Sequence, residues 1–469
     1  MGPIDFVVPT RREFLRNGAL GVSAIAASSL LAPSLSPTPH RRHPARARSV
    51  IYLHMEGAPS PIDMFDPKPE LQKHDGMKCP DSFLSKERFA FIKGHPKLLG
   101  SRHAFKKRGR LGLDVVELLP CLGEVVDDLC VVKSMHTDQF NHAPAEFLMF
   151  TGSPRIGRPA MGSWVCYGLG SENENLPGFV VLVSGTLPSA GKSVFGSGFL
   201  PSSLQGVQLR SQGDPVLFLA DRDGTDRAGR RRILDAARAL GDREHARTGD
   251  PEVLARLSQH ELAFRMQMSA PEAVDIASES PETLALYGAS PGVASFANNC
   301  LLARRLVERG VRFVQLYDSG WDLHGTGPSD DMMTQFPKKC RELDRPYAAL
   351  LTDLRRRGML DDTLVVWGGE FGRTPMNEER DGSKFLGRDH HPHCFTMLLA
   401  GGGMKRGAVV GSTDELGYRI EKNPIHVHDL QATMLWLLGI DHEKLTYRFE
   451  GRDFRLTDVA GKVRGELLA

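Results

Sequence analysis

Short apolar runs alternate with stretches of helical periodicity along most of the chain. The apolar runs predicted as strands span 49–53, 130–134, 179–183, 311–317, 363–367 and 394–399. The stretches predicted as helices span 114–129, 145–150, 296–309, 338–357 and 427–438. Several strands are continuous apolar runs, which is typical of strands covered on both faces. The alternation therefore predicts an α/β fold, a mostly parallel central sheet flanked by helices on both faces.

The pattern changes between residues 184 and about 294. Gly, Pro and Ser dominate the first part of this stretch, and Arg/Asp/Ala-rich helical sequence follows from 230 to 268. We interpret the stretch as a cap or insertion on the core, so that residues 49–469 form one α/β domain.

Residues 1–48 have the three regions of a twin-arginine signal peptide followed by a spacer. Arg11-Arg12 precedes Phe14-Leu15, a mild apolar stretch covers 18–32, and a segment rich in Pro, His and Arg follows. The apolar stretch is too short and too weakly apolar for a permanent membrane span. We expect export through the twin-arginine route to the periplasm or the outside, with Ala45-Arg46-Ala47 as one candidate cleavage point. The alternative is a basic, amphipathic N-terminal helix.

Composition excludes some classes of function. The chain has 59 Lys/Arg and 57 Asp/Glu residues, and it carries a net charge of −3 once the seven basic and two acidic residues of 1–48 are removed. This near neutrality gives no support for nucleic-acid binding. Seven scattered cysteines without a C-x-x-C pair argue against a disulfide framework and against a thiolate zinc site.

Carboxylates and imidazoles gather where the predicted strands end, which is where open parallel sheets form their sites. They are, in chain order, Glu56, His136, His142, Asp318, Asp322, His324, Glu370, His390, His391 and His393. Imidazole combined with carboxylate suits zinc, manganese or iron, whereas carboxylates alone suit calcium or magnesium. Each residue taken singly could be a helix cap or a turn residue. Their convergence predicts a divalent metal site, with zinc, manganese, iron and calcium as the candidate ions.

Longer motifs resemble known families. Residues 363–372, Thr-Leu-Val-Val-Trp-Gly-Gly-Glu-Phe-Gly, resemble the strand and Asp-His/Asn-Gly motif of the alkaline phosphatase–sulfatase superfamily, and 426–440 resemble the C-terminal helix motif of sulfatases. Nearly the whole mature chain resembles the exported family called domain of unknown function 1501 (DUF1501). The matching stretches include 63–69, 198–201, 261–267, 369–375, 401–403 and 411–415. The resemblance implies an alkaline-phosphatase-like fold, but the family has no settled activity.

The departures from active sulfatases concern the nucleophile. Their segment reads Cys/Ser-x-Pro-x-Arg, whereas this chain has His142-Ala-Pro-Ala-Glu146 at the same spacing. A histidine cannot become formylglycine, so standard sulfatase chemistry is not expected. At the late motif Phe371 replaces the usual His or Asn, and at the first strand Glu56 stands where two acids are usual.

Two functions fit these residues. The first is an exported, metal-dependent hydrolase of phosphate or sulfate esters, acting on an anionic small molecule or polysaccharide. The metal ligands would come from Glu56, Asp318, Asp322, His324, Glu370, His390, His391 and His393. His142 or His136 would serve as ligand or general base, and Arg373 or Arg388 would hold the anionic group. The second is a non-catalytic binding protein of the same fold that recognises an anionic glycan or a partner protein; the missing nucleophile supports it.

Overall fold

The computed structural model describes residues 43–84, 89–210, 213, 216 and 226–469. The predicted arginine pair 11–12 and the apolar stretch 18–32 lie outside these ranges. The described chain is built around a nine-stranded sheet. Its strands are β1 Ser49–Met55, β2 Leu129–His136, β3 Phe179–Ser184, β4 Val207–Gln208, β5 Phe313–Asp318, β6 Thr363–Gly368, β7 Phe395–Ala400, β8 Ala408–Val410 and β9 Ile425–His426.

The strand order places β1 between two parallel neighbours in the middle of the sheet. The order is β8-β2-β7-β6-β1-β5-β3-β4, with β9 beside β2. β1 is parallel to both β5 and β6, and β3 is parallel to β5. β7 is antiparallel to β6 and β2. The mostly parallel sheet predicted from the sequence is confirmed, and the residues that precede β7 arrive at the edge where β1, β2, β5 and β6 end.

Helices cover both faces of the sheet. The longer ones are α1 His142–Thr151, α2 Met161–Leu169, α3 Arg227–Thr248, α4 Pro251–Val274, α5 Phe296–Glu308, α6 Gln335–Arg356 and α7 Val427–Leu437. Shorter helices are Pro61–Met64, Pro69–Lys73, Asp81–Leu84, Pro120–Gly123 and Pro281–Tyr287. Small two-stranded units pair Phe105–Arg108 with Leu113–Val116, Gly372–Arg373 with His390–His391, Met376–Asn377 with Lys97–Leu98, Ser412–Thr413 with Ile420–Lys422, and Tyr447–Phe449 with Arg452–Phe454.

Alternation along β1 shows how the sheet separates two cores. Ile51 and Leu53 lie in the core that includes α5 and α6, whereas Val50 and Tyr52 lie in the core that includes α1, α2 and α7. Successive strand side chains point to opposite faces, so a fully apolar strand is buried between two helical layers.

The helix predicted over 114–129 is wrong. The structure has a strand at Leu113–Val116, a one-turn helix at Pro120–Gly123 and a 3₁₀ turn at Val126–Asp128. Val115-Val116 favours a strand, and Pro120 has no N–H to donate to a preceding turn, so the apolar periodicity does not become one helix.

Part of the predicted insertion is a pair of long helices. α3 has no buried residue and packs against α4, where Arg231 bonds Glu261 with nitrogen–oxygen distances of 2.6 and 2.8 Å. That this stretch acts as a cap stays a prediction. Across the described ranges, no helix combines the length and apolar character needed to cross a membrane.

The candidate cleavage point belongs to the folded body. Ala47 is buried, and the N–H groups of Arg46 and Ala47 both donate to the carbonyl of Leu437, at 2.8 and 2.9 Å. Cleavage after Ala47 would remove these contacts with the end of α7.

Candidate metal centre

Four predicted residues from separate parts of the chain meet at the carboxyl edge of the sheet. Asp322 and His324 lie in the loop after β5, His390 lies just before β7, and His142 is the first residue of α1. His390 is held in register by the small unit in which it pairs with Arg373. The four side chains form one group whose ligand atoms all lie within 4.8 Å of one another.

The spacing within this group resembles that of atoms around a shared ion. Asp322 Oδ1 lies 2.8 Å from His324 Nε2, 3.3 Å from His142 Nε2 and 3.4 Å from His390 Nε2. The Nε2 atoms of His324 and His390 are 3.1 Å apart. Ligands at zinc–nitrogen distances near 2.0–2.1 Å in a tetrahedron are about 3.3 Å from each other. The separations therefore suit a tetrahedral ion of zinc size.

Each imidazole is oriented by an acceptor behind it. His142 Nδ1 donates to Glu370 Oε1 at 2.5 Å, His390 Nδ1 donates to the carbonyl of Phe140 at 2.7 Å, and His324 Nδ1 donates to Glu378 Oε2. An acceptor at Nδ1 fixes the proton there and leaves the Nε2 lone pair for the site. Three lone pairs thus face one carboxylate oxygen, an arrangement that a cation stabilises. The donor set therefore fits a metal ion.

His142 shows how strongly this group attracts positive charge. Its Nε2 is buried, and the 3.3 Å approach to Asp322 is not aligned as a hydrogen bond, so the nitrogen has no hydrogen-bond partner. Burial alone would lower its pKa, but the carboxylates of Asp322 and Glu370 raise the pKa of His142 to about 10. The negative charge of Asp322 and Glu370 that raises this pKa would also favour a metal ion within the group.

Asp322 is held from behind by Arg373. The Arg373 guanidinium bonds Asp322 Oδ1 and the backbone carbonyls of Gly57, Ala58 (3.1 Å) and Arg388 (3.0 Å). Burial would raise the pKa of Asp322, but Arg373 and the three imidazoles hold that pKa far below its usual range. Arg373 is only 2% exposed and its guanidinium is bonded to Asp322 and to backbone carbonyls, so it orients Asp322 instead of holding an incoming anion as the sequence predicted.

The family model described as "Protein of unknown function (DUF1501)" matches residues 47–468. The chain belongs to the DUF1501 family. No curated protein matches it.

Solved structures similar to this DUF1501 protein come from the alkaline phosphatase superfamily. The PsFucS1 sulfatase from Pseudoalteromonas sp. is 12% identical, with 90% of this chain and 72% of that chain covered and a TM-score of 0.39. A protein in the alkaline phosphatase superfamily from Vibrio parahaemolyticus is 10% identical, with 86% and 69% covered and a TM-score of 0.37. The alkaline phosphatase from the Antarctic bacterium TAB5 is 8% identical, with 76% and 92% covered and a TM-score of 0.30. At these values the likenesses do not bear on the site's chemistry.

Two predicted ligands of this DUF1501 protein, Glu370 and Glu56, lie outside the group of four. Glu370 is fully buried, accepts from His142 and from the N–H of Gly57 at 3.2 Å, and therefore orients a ligand-type residue. Burial would raise its pKa, but His142 and His54 lower the pKa of Glu370. Glu56 accepts from Ser189 Oγ at 2.7 Å, outside the group of four.

The remaining predicted residues lie elsewhere. Asp318 bonds Lys339 Nζ at 2.7 Å and Trp321 Nε1 at 2.9 Å. His391 Nε2 bonds the Tyr418 carbonyl at 2.7 Å. Neighbouring side chains of an extended segment point to opposite faces, so His391 points away from the site that His390 faces. The other two are His393, which is exposed with its ring 5.2 Å from that of His391, and His136, whose ring lies 5.0 Å from that of His426.

Sequence reasoning missed two carboxylates that support the site. Glu378 is fully enclosed and receives His324 Nδ1 on one oxygen and Arg380 Nε on the other. Asp389 accepts from the N–H groups of His390 and Phe91 at 2.8 Å and of Ile92 at 2.9 Å, so it anchors the loop over the imidazoles. Asp389 forms a second close group with His324 and Glu378, but its oxygens are engaged by backbone N–H donors. Glu378 and Asp389 each have charged neighbours along the chain, so no sequence pattern distinguished them.

A second buried cluster lies directly behind His142. His54 Nε2 is 3.3 Å from Glu370 Oε2 and 4.0 Å from Glu146 Oε1, and all three side chains are fully buried. Burial and the nearby Glu370 raise the pKa of Glu146 to about 9. Glu146 accepts from the N–H groups of Ser189 (3.3 Å) and Ala190 (2.6 Å), so it also fixes the loop that carries Ser189.

Proposed function

We propose that this DUF1501 protein is a metal-dependent hydrolase of phosphate or sulfate esters with a single-metal centre. Asp322, His324 and His390 would hold the ion, and His142 would be the general base. The observation that carries the proposal is the convergence of three oriented Nε2 lone pairs on one oxygen of Asp322.

The donor set also narrows the choice of ion. Two imidazoles and a carboxylate, with a third imidazole beside them, suit zinc first and manganese or iron next. Calcium and magnesium prefer sites made of oxygen ligands. Calcium, one of the ions kept open by the sequence, therefore does not suit this group.

A bound zinc ion would polarise an ester oxygen and lower the pKa of a coordinated water to about 7. His142 supports this chemistry from its own position. A bound cation would lower the raised pKa of His142, so that its Nε2, which faces the site, could take a proton from water. Glu370 would keep the Nδ1 proton in place and stabilise the imidazolium that results. Glu378 and the Phe140 carbonyl hold His324 and His390 in the same tautomer. Asp322, with its side chain 41% exposed, marks the open face where substrate would enter.

Hydrolysis measurements with matched variants test the proposal. The zinc-loaded chain is assayed with aryl sulfate, phosphodiester and phosphate monoester probes, beside His142→Asn and an exposed control, His393→Ala. We expect turnover in the wild type and in His393→Ala, and a loss of about 10²–10⁴-fold in His142→Asn, the usual contribution of a general base.

The same assay separates the alternative function. A protein that binds metal but turns over none of the probes above the His142→Asn background would refute the hydrolase. That result would favour the non-catalytic protein that recognises an anionic glycan or a partner.

A further inference from the structure

The arginines nearest the site are enclosed and already paired. Arg373 donates to three backbone carbonyls and to Asp322. Arg388 donates twice to Asp63, at 2.7 and 3.1 Å, and to the carbonyl of Thr374 at 3.2 Å, and it is 1% exposed. Neither guanidinium can reach an incoming anion without breaking buried ion pairs.

The groups that face outward at the site are acidic or aromatic. Asp322 is the open ligand, with its side chain 41% exposed, and Glu56 accepts from Ser189 Oγ at 2.7 Å. Phe140 and Phe91 are 41% and 37% exposed. Among these groups a substrate would meet negative charge and ring surface.

The guanidinium of Arg380 also lies near the site, beside Phe91, and already makes one hydrogen bond. Arg380 lies 3.9 Å above the ring of Phe91, and its Nε donates to Glu378. Its Nη2 has no hydrogen-bond partner. Unlike Arg373 and Arg388, Arg380 therefore keeps a nitrogen that could meet a substrate charge.

We infer that the ester taken by this site carries a single negative charge on its reacting group, as a sulfate monoester or a phosphodiester does. A bound ion would attract either ester. A phosphate monoester, which carries about −1.5 to −2 charges at pH 7, would bring an extra charge toward Asp322, and the two arginines nearest the site are already paired. This inference rests on the proposed hydrolase and specifies its substrate class.

The reaction balances in the same way for both esters. The water oxygen forms a new bond to sulfur or phosphorus while His142 Nε2 takes a water proton. The bond from sulfur or phosphorus to the ester oxygen breaks, and its electron pair leaves on that oxygen. The proton then passes to the departing oxygen. A sulfate monoester therefore gives an alcohol and hydrogen sulfate, which releases its remaining proton to solvent, and a phosphodiester gives an alcohol and a phosphate monoester.

Three probes with the same leaving group test the charge preference. The zinc-loaded full chain is assayed with 4-nitrophenyl sulfate, bis(4-nitrophenyl) phosphate and 4-nitrophenyl phosphate at pH 8. We expect kcat/KM for at least one singly charged probe to exceed that for the monoester by about 100-fold, the effect of one unbalanced charge at short range. A monoester turned over as fast as both other probes would overturn the inference and leave the hydrolase standing. If His142→Asn and the wild type give equal rates on all probes, the hydrolase fails and this inference falls with it.

The pH dependence of a rate ratio supplies an independent check. The doubly charged monoester takes up one proton near pH 6 and becomes singly charged, whereas the sulfate keeps one charge throughout. With a preference of about 100-fold for the singly charged form, the ratio of monoester to sulfate kcat/KM should therefore rise about 50-fold between pH 8 and pH 5. Titration of the enzyme cancels in this ratio, so a ratio that stays constant would contradict the inference.

Discussion

Glu378→Gln is the substitution that most sharply examines the support behind the imidazoles. The Glu378 carboxylate receives one donor on each oxygen, the His324 Nδ1–H and the Arg380 Nε–H. Glutamine offers a single acceptor oxygen. If its amide nitrogen faces His324, the imidazole must move its proton to Nε2, which removes the lone pair from the site. If the amide nitrogen faces Arg380 instead, the enclosed ion pair is lost.

The expected loss of zinc affinity follows from this geometry. Removing the carboxylate of a carboxylate–histidine–metal unit lowers affinity by about 10–100-fold, or about 1.4–2.7 kcal/mol. The neighbouring Glu379→Gln is the matched control, because Glu379 is exposed and bonds Lys97 Nζ at 3.1 Å, a surface pair worth at most about 1 kcal/mol. We expect the control to bind zinc as the wild type does.

Competition with a chromophoric zinc chelator at constant pH measures these affinities. Circular dichroism of the metal-free variants establishes that both are folded. A Glu378→Gln protein whose affinity equals that of Glu379→Gln would refute the orienting role and weaken the assignment of His324 as a ligand.

Three further predictions concern stability. Glu146→Gln should stabilise the fold by about 3–5 kcal/mol at pH 8 and by almost nothing near pH 4.5. The reason is that the pKa of Glu146 is raised to about 9 in the folded state, so the wild type loses stability as pH rises from 4.5. Urea unfolding that shows the same difference between variant and wild type at both pH values would contradict this. Arg388→Met should destabilise the fold by about 3–5 kcal/mol in the same assay, since it leaves Asp63 buried without its cation. Arg406 forms a partly exposed ion pair, so the Arg406→Met control should change stability by less than about 1 kcal/mol. Equal effects of the two substitutions would refute the stabilising role of the buried pair. His426→Ala should lower stability by about 1 kcal/mol, because the His426 side chain accepts from the His428 N–H in the first turn of α7. His426→Asn should restore this stability, since asparagine can also cap a helix. An Asn variant no more stable than the Ala variant would exclude the capping role.

The layout of the sheet could be predicted from the sequence because it depends on local patterns. Continuous apolar runs such as 363–367 identify strands buried on both faces, and the structure places a strand at Thr363–Gly368. The rule that open parallel sheets form their sites where the strands end placed the polar loops at one edge of the sheet. The pattern over 114–129 misled because Pro120 and the adjacent valines override an apolar spacing that resembles a helix.

The composition of the site depended on contacts that sequence does not contain. Asp322 and His324 follow one strand, but the choice of His390 over His391 depends on which face of a two-residue strand points inward. Glu370 looked like a ligand because it directly follows a buried strand, yet its carboxylate meets His142 Nδ1 instead of the site. Glu378 reaches His324 across 54 residues, and nothing in its surroundings separates it from Glu379.

The most direct test of the central claim is the metal content of the purified full chain beside His324→Ala and His142→Asn. If Asp322, His324 and His390 hold the ion and His142 is a base, the wild type should contain about one zinc, manganese or iron per chain. The His142→Asn protein should retain it, and His324→Ala should lose it. A wild type without metal, or a His324→Ala protein with undiminished metal, would contradict the account.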